Sequence, residues 1–131
     1  MSKPIEYEEA SAEVRAVYDE IMKTRKVDWV NNFWKVLAHH PPTLRRTWAA
    51  VNEVMQPGAL DPLTKELIYL SVSMTNNCRY CIASHSAAAR KKGMTEAQFQ
   101  ELVAVVGLAN ETNHLVFAHD APIDPQFQPP G

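Results

Sequence analysis

Asp61-Pro62-Leu63-Thr64-Lys65-Glu66-Leu67-Ile68-Tyr69-Leu70-Ser71-Val72-Ser73-Met74-Thr75, then Asn76-Asn77, then Cys78-Arg79-Tyr80-Cys81-Ile82-Ala83-Ser84-His85, is the stretch that decides the fold. An aspartate can accept from the unpaired N–H groups of a first helical turn. A proline directly after it loses nothing, because its missing N–H would have no partner there. A helix therefore starts at Pro62. Leu63, Leu67, Ile68, Leu70, Val72 and Met74 point in nearly all directions around it, which predicts a central, largely buried element ending near Thr75. Asn76-Asn77 interrupts. A second helix is expected from about Cys78 to Lys92, closing on Gly93, with Arg90, Lys91 and Lys92 complementing the negative end of its dipole.

Outward from that pair the pattern stays helical. Thr95-Glu96-Ala97-Gln98 fits a capping box, and an apolar pattern follows it to about Ala118, with Gly107 a candidate break. Upstream, Val14, Val17, Tyr18 and Ile21 share one helical face behind a Ser11 cap, in a helix expected to fray around Thr24 to Lys26. Val30, Phe33, Trp34 and Leu37 predict a helix from Trp29 to His40, broken by Pro41-Pro42. Pro42 can open the next helix, which reads through Leu44, Trp48, Val51 and Met55 and ends at Pro57-Gly58. No segment alternates as a strand. The expectation is an all-α bundle of about six helices, one domain over residues 1–131, with an extended tail at 120–131 that holds four prolines.

Composition agrees and removes other classes. The 131 residues are 46% hydrophobic and 21% charged, near globular averages. Sixteen alanines against four glycines favour helix. A net charge of −2 gives no basic excess for nucleic acid. No apolar run approaches the ~20 residues of a membrane span, and the polar start does not read as a signal peptide, so the expected location is the cytoplasm. Two cysteines only three apart do not make a disulfide scaffold; in a reducing compartment they read as redox-active or metal-binding.

On a helix, Cys78, Cys81 and His85 project within about 60° of one another at ~100° per residue. Cys81 and His85 are direct i, i+4 neighbours. Cys78, in the first turn, would have its thiolate stabilised by unpaired N–H groups and the dipole. Glu66 lies within an otherwise apolar helix, where a carboxylate needs a partner. Packed side by side, the two helices would let Glu66 reach His85 and orient its ring, as a third group orients the base in other nucleophilic sites. The plainer readings are cysteines acting as small core hydrophobes, and a zinc site built from Cys78, Cys81, His85 and Glu66. Haem attachment would need a histidine where Ile82 stands.

Glu66-x11-Cys78-x2-Cys81-x3-His85, with Leu60 to Ile68 ahead of it, resembles the alkylhydroperoxidase D (AhpD)-like branch of the carboxymuconolactone decarboxylase superfamily. The resemblance is strongest from Leu60 to Gly93 and extends loosely back to Asn31. It implies an AhpD-like helical fold assembled as a homotrimer or homohexamer, and a peroxidase that reduces hydroperoxides with thiols and no metal or organic cofactor. It implies Cys81 as the peroxidatic cysteine and Cys78 as proton donor and resolving partner. Glu66 and His85 form its proton relay, and a dithiol, lipoyl or thioredoxin-type reductant restores the pair. Here the dipole argument, which favours Cys78, and the resemblance part ways. Tyr80, a candidate site-lining residue, stands where the best-known peroxidases of the family carry a second histidine, and it is a far weaker base. A carboxymuconolactone decarboxylase-like lyase, working by Glu66 and His85 alone, remains the other enzymatic reading.

The remaining polar and aromatic residues read as structural. His39 and His40 end a helix, and His114 and His119 lie five apart without sharing a face. Trp29, Phe33, Trp34 and Trp48 are expected in the core or at subunit contacts.

Overall fold

Six α-helices and two short 3-10 turns make up the regular structure of residues 2–131, which the computed structural model describes; no strand occurs among the described residues. They fall into two compact units, one reaching Gln56 and the other spanning Pro57–Gly131.

The first unit holds α1 (Ala12–Arg25), α2 (Asn32–Leu37) and α3 (Pro41–Val54). Ser11 caps α1, its hydroxyl accepting from the Val14 N–H at 3.3 Å, and the helix closes on Lys26 in the left-handed conformation at φ 57°. Val14, Val17, Tyr18 and Ile21 form its buried face, as their spacing requires, and meet Val30, Trp34, Ala38, Leu44 and Trp48. Trp34 and Trp48 pack edge to face at 5.5 Å. The buried Tyr18 hydroxyl donates to the Ile5 carbonyl at 2.8 Å, tying the N-terminal segment to this core.

The helix expected over Trp29 to His40 is much shorter, only Asn32–Leu37. Asn31 takes the extended capping conformation. Val30 is buried from outside the helix, and Trp29 is exposed. The apolar spacing was satisfied by a buried extended residue followed by a short helix. His40 caps α3, which begins at Pro41 rather than Pro42; its ring contacts the Thr43 hydroxyl at 2.8 Å, and that of His39 contacts the Lys3 carbonyl at 2.6 Å.

The second unit holds α4 (Pro62–Thr75), α5 (Arg79–Lys91) and α6 (Glu96–His119). Asp61 caps α4 through the Thr64 N–H at 2.9 Å and the Thr64 hydroxyl at 2.8 Å. Thr95 and Gln98 form both halves of the capping box on α6. That helix runs unbroken through Gly107, whose surroundings are open. Gly93, at φ 107°, makes the turn from α5 that a side chain would strain. α4 packs on both α5 and α6. Its buried residues are only Glu66, Leu70 and Ser73, while Ile68, Tyr69 and Val72 are exposed. The expectation that α4 is buried all round is therefore corrected: two helices cover one face of it and leave the other bare. Beyond α6 the tail carries one short turn, Pro125–Phe127, and is exposed throughout.

Candidate active site: a thiol pair and an anchored histidine

α4 and α5 run against each other, and each contributes one face. Glu66, Tyr69 and Ser73 follow one another at i, i+3 and i+7 on α4, the spacing of one face. Cys78 caps α5, with Cys81 and His85 in its first two turns and Lys92 just past its end.

The Glu66 side chain is 6% exposed. One carboxylate oxygen accepts from His85 Nδ1 at 2.7 Å and the other from Lys92 Nζ at 3.0 Å. Burial pushes the Glu66 carboxyl upward, but the hydrogen bonds and charges of His85 and Lys92 outweigh it and hold the group below its ordinary value. Glu66 is thus a buried anion with both oxygens occupied. Because an ionised carboxylate can only accept, the proton on the neutral His85 ring sits on Nδ1, and Nε2 is left as the base. Tyr69 stacks on the His85 ring, with centroids 3.7 Å apart and planes 21° from parallel.

The thiols are separated electrostatically. Both are free and partly buried. Cys78 Sγ accepts the Cys81 backbone N–H at 3.4 Å, so the sulfur itself caps α5. Hydrogen bonds from the Cys81 thiol and backbone pull the Cys78 thiol below its usual range. The Cys81 thiol is pushed up to about 11, first by burial and then by its hydrogen bond and proximity to Cys78, with Ser73 opposing. The Cys78 backbone N–H donates to the Ser73 carbonyl at 2.9 Å, fixing the start of α5 against the end of α4.

The geometry joins Glu66 to His85 directly, as the two-helix argument expects, and places Cys78 and Cys81 within contact of each other. Tyr80 is exposed at 44% on the second residue of α5. Among the described residues, no three His, Cys, Asp or Glu side chains come together to hold a metal ion. The thiols and the Glu66–His85 pair therefore do not form a single ligand set. Tyr69 and Lys92 escaped the sequence reading. Tyr69 is apolar enough to merge with the hydrophobic pattern of α4, and Lys92 was taken up by the dipole argument. The signal for both was spacing: Tyr69 three residues after Glu66, and Lys92 seven after His85.

The sequence pattern of the Carboxymuconolactone decarboxylase family matches residues 41–122. This chain belongs to that family. The crystal structure of the alkylhydroperoxidase AhpD core from Rhodospirillum rubrum ATCC 11170 superposes with a TM-score of 0.85 at 56% identity, covering 88% of this chain and 85% of that one. The alkyl hydroperoxide reductase AhpD of Maricaulis maris (strain MCS10) is 40% identical over 60 residues, 46% of this chain and 34% of that protein. Uncharacterized protein 4 in the cox locus of Paracoccus denitrificans is 40% identical over 52 residues, 40% of this chain and 47% of that protein. The matched stretches thus span less than half the length of these curated relatives. The all-α, AhpD-like fold follows from the structural match.

Proposed function

We propose that this family member is a cysteine-based peroxidase or thiol–disulfide oxidoreductase that reduces hydroperoxides through Cys78 and Cys81, with Glu66 and His85 moving the proton. The observation that carries this reading is the buried, doubly held Glu66 carboxylate bonded to His85, one turn beyond a thiol pair on the same helix. An anion kept in that position orients the imidazole and faces the positive charge that forms when the ring takes a thiol proton.

The steps balance without a metal or organic cofactor. His85 accepts one proton from the dithiol, leaving one charge and one proton on two sulfurs. A thiolate attacks the peroxide; the S–O bond forms, the O–O bond breaks, and the alkoxide leaves as alcohol with the proton from His85. The sulfenic acid then reacts with the second thiol, forming the S–S bond and releasing water. A dithiol of the lipoyl or thioredoxin class returns two electrons and two protons, becoming a disulfide itself. At rest the charge belongs on Cys78, the sulfur that accepts the backbone N–H. Moving the shared proton from Cys81 to Cys78 gives Cys81 the attacking role that the family resemblance assigns to it.

The proposal includes a cytoplasmic homo-oligomer, with Tyr80 at the exposed edge of the thiol pair. Peroxide consumption with dithiol, lipoyl and thioredoxin-type reductants, compared between wild type and Cys81→Ser, tests it. Turnover is expected only in wild type, whose intact mass falls by two hydrogens after one equivalent of peroxide. Separate sulfinic acids, or no peroxide loss with any reductant, would overturn the reading. One observation favours a lyase of the decarboxylase type instead: the Glu66–His85 bond is complete without either sulfur. Such an activity would survive replacement of both cysteines.

A further inference from the structure

We propose that Tyr69 is a positioning residue: its ring clamps His85 so that the imidazole keeps one orientation toward the thiol pair. This rests on the reading of His85 as the base of that pair. A ring held only by one Nδ1–H···O bond can still turn about that bond. In this chain the second restraint is the Tyr69 face, stacked 3.7 Å away and 21° from parallel. With the Glu66 bond at 2.7 Å, the stack holds the ring at its edge and on its face.

Plain core packing does not account for Tyr69. Tyr69 is 37% exposed, and the buried core of this unit is Leu70, Ala89 and Met94. Yet its position on α4 sets it beside both halves of the site: stacked on His85, and near enough to Cys81, Cys78 and Glu66 that their negative charge would oppose ionisation of its phenol. Burial first, then those three neighbours, raises its phenol above the ordinary range, so the ring facing His85 stays neutral at physiological pH. A neutral aromatic face attracts a cation. The stack therefore steadies the ring as His85 takes the thiol proton, and losing it is expected to delay thiolate formation to higher pH. The titratable groups facing this cluster are Glu66 and Tyr69 from α4, and Cys78, Cys81 and Lys92 from α5 and its two ends. α6 meets the unit's core with Phe99 and Leu102, which do not titrate.

The test compares Tyr69→Phe, which keeps the face and loses the hydroxyl, with Tyr69→Leu, which loses the face. Alkylation of the reduced thiols by iodoacetamide is followed against pH, alongside oxidation by an organic hydroperoxide, with helical content checked by circular dichroism. Tyr69→Phe is expected within about 2-fold of wild type in both rates. Tyr69→Leu is expected to move the alkylation midpoint up by at least about half a pH unit, and to slow hydroperoxide oxidation by about 10-fold, the low end for a misplaced general base. If Tyr69→Leu does not fold, Tyr69→Met, unbranched and of similar length, carries the same comparison. A leucine or methionine profile that overlays wild type overturns the clamp. So does a phenylalanine variant as impaired as leucine, because the hydroxyl and not the stack would then matter. Alkylation needs no peroxide. A wild-type thiol pair that alkylates normally but ignores hydroperoxides sinks the peroxidase reading while the Tyr69 comparison still gives its answer.

Discussion

A buried carboxylate bonded to both an imidazole and an ammonium ties stability to pH at a single residue. Glu66 is held below its ordinary value of 4.5, so folding favours its charged form. That contribution is fully present above the unfolded value and is lost as pH falls through the lower folded value. Urea denaturation of wild type and Glu66→Gln between about pH 5 and pH 3 checks the sign: wild type is expected to lose stability more steeply, because the amide has no proton to take up. Asp61, also lowered by its own capping bonds, contributes equally to both proteins and cancels. Parallel acid branches would mean that Glu66 takes up its proton alike in the folded and unfolded chains. The same substitution is expected to slow thiol oxidation at least ~10-fold, since it removes the anion that supports His85. At this scale the sequence showed Glu66, Cys78, Cys81 and His85 because each is chemically conspicuous in its surroundings. It hid Lys92 and Tyr69 because a lysine at a helix end and a tyrosine in an apolar stripe both have commoner explanations. The direction of the split between the two thiols was legible too, from Cys78 standing where α5 starts; what the structure adds is that its sulfur accepts the Cys81 N–H and so caps the helix itself.

Whole helices were legible wherever a stop or start signal has a stereochemical cause. Asp61-Pro62 opens α4, Thr95 with Gln98 opens α6, and Gly93 at φ 107° ends the α5 turn. Where the only signal was apolar spacing, as from Trp29 to His40, the boundary was misplaced. A residue such as Val30 can be buried just as well from an extended segment. Burial of α4 was overestimated for a related reason: periodicity says which directions are apolar, and not how many neighbours exist to cover them. The end of α1 shows the opposite case, a stop made by a residue poorly suited to it. Lys26 sits at φ 57°, ψ 47°, a conformation that costs a side chain with a Cβ about 1–2 kcal/mol and costs glycine little. Lys26→Gly is therefore expected to stabilise the chain, by up to about 1 kcal/mol after glycine's greater unfolded-state entropy is deducted. Equilibrium urea unfolding measures it; a lower midpoint for the glycine variant would show that the Lys26 side chain makes a contact worth more than the strain.

At the scale of the molecule, the apolar surface of the second unit is too large for the core it encloses. α6 has 24 residues and buries none of them, and from Gly107 onward every residue is exposed. Val105, Leu108 and Leu115, with Thr112 between, recur at spacings of three and four, so they line one stripe. α4 adds Ile68 and Val72 to the bare apolar surface. An isolated helix is marginal in water, and α6 carries valine, phenylalanine, threonine and asparagine, which are indifferent helix formers. Its last three turns therefore need a covering surface. Further copies of the chain offer such a surface, and identical chains usually assemble with closed symmetry. The homo-oligomer proposed above is expected, by the family resemblance, to hold three or six copies. Light scattering coupled to size exclusion should give a mass three or six times the 14.7 kDa of the chain. Leu108→Asp, which puts a charge into the stripe without touching the site on α4 and α5, is expected to reduce that mass to the single chain and to lower helical content as the end of α6 frays. A wild-type species at 14.7 kDa at micromolar concentration would overturn the assembly. An aspartate variant that keeps its full mass would move the contact off α6 and onto the bare face of α4.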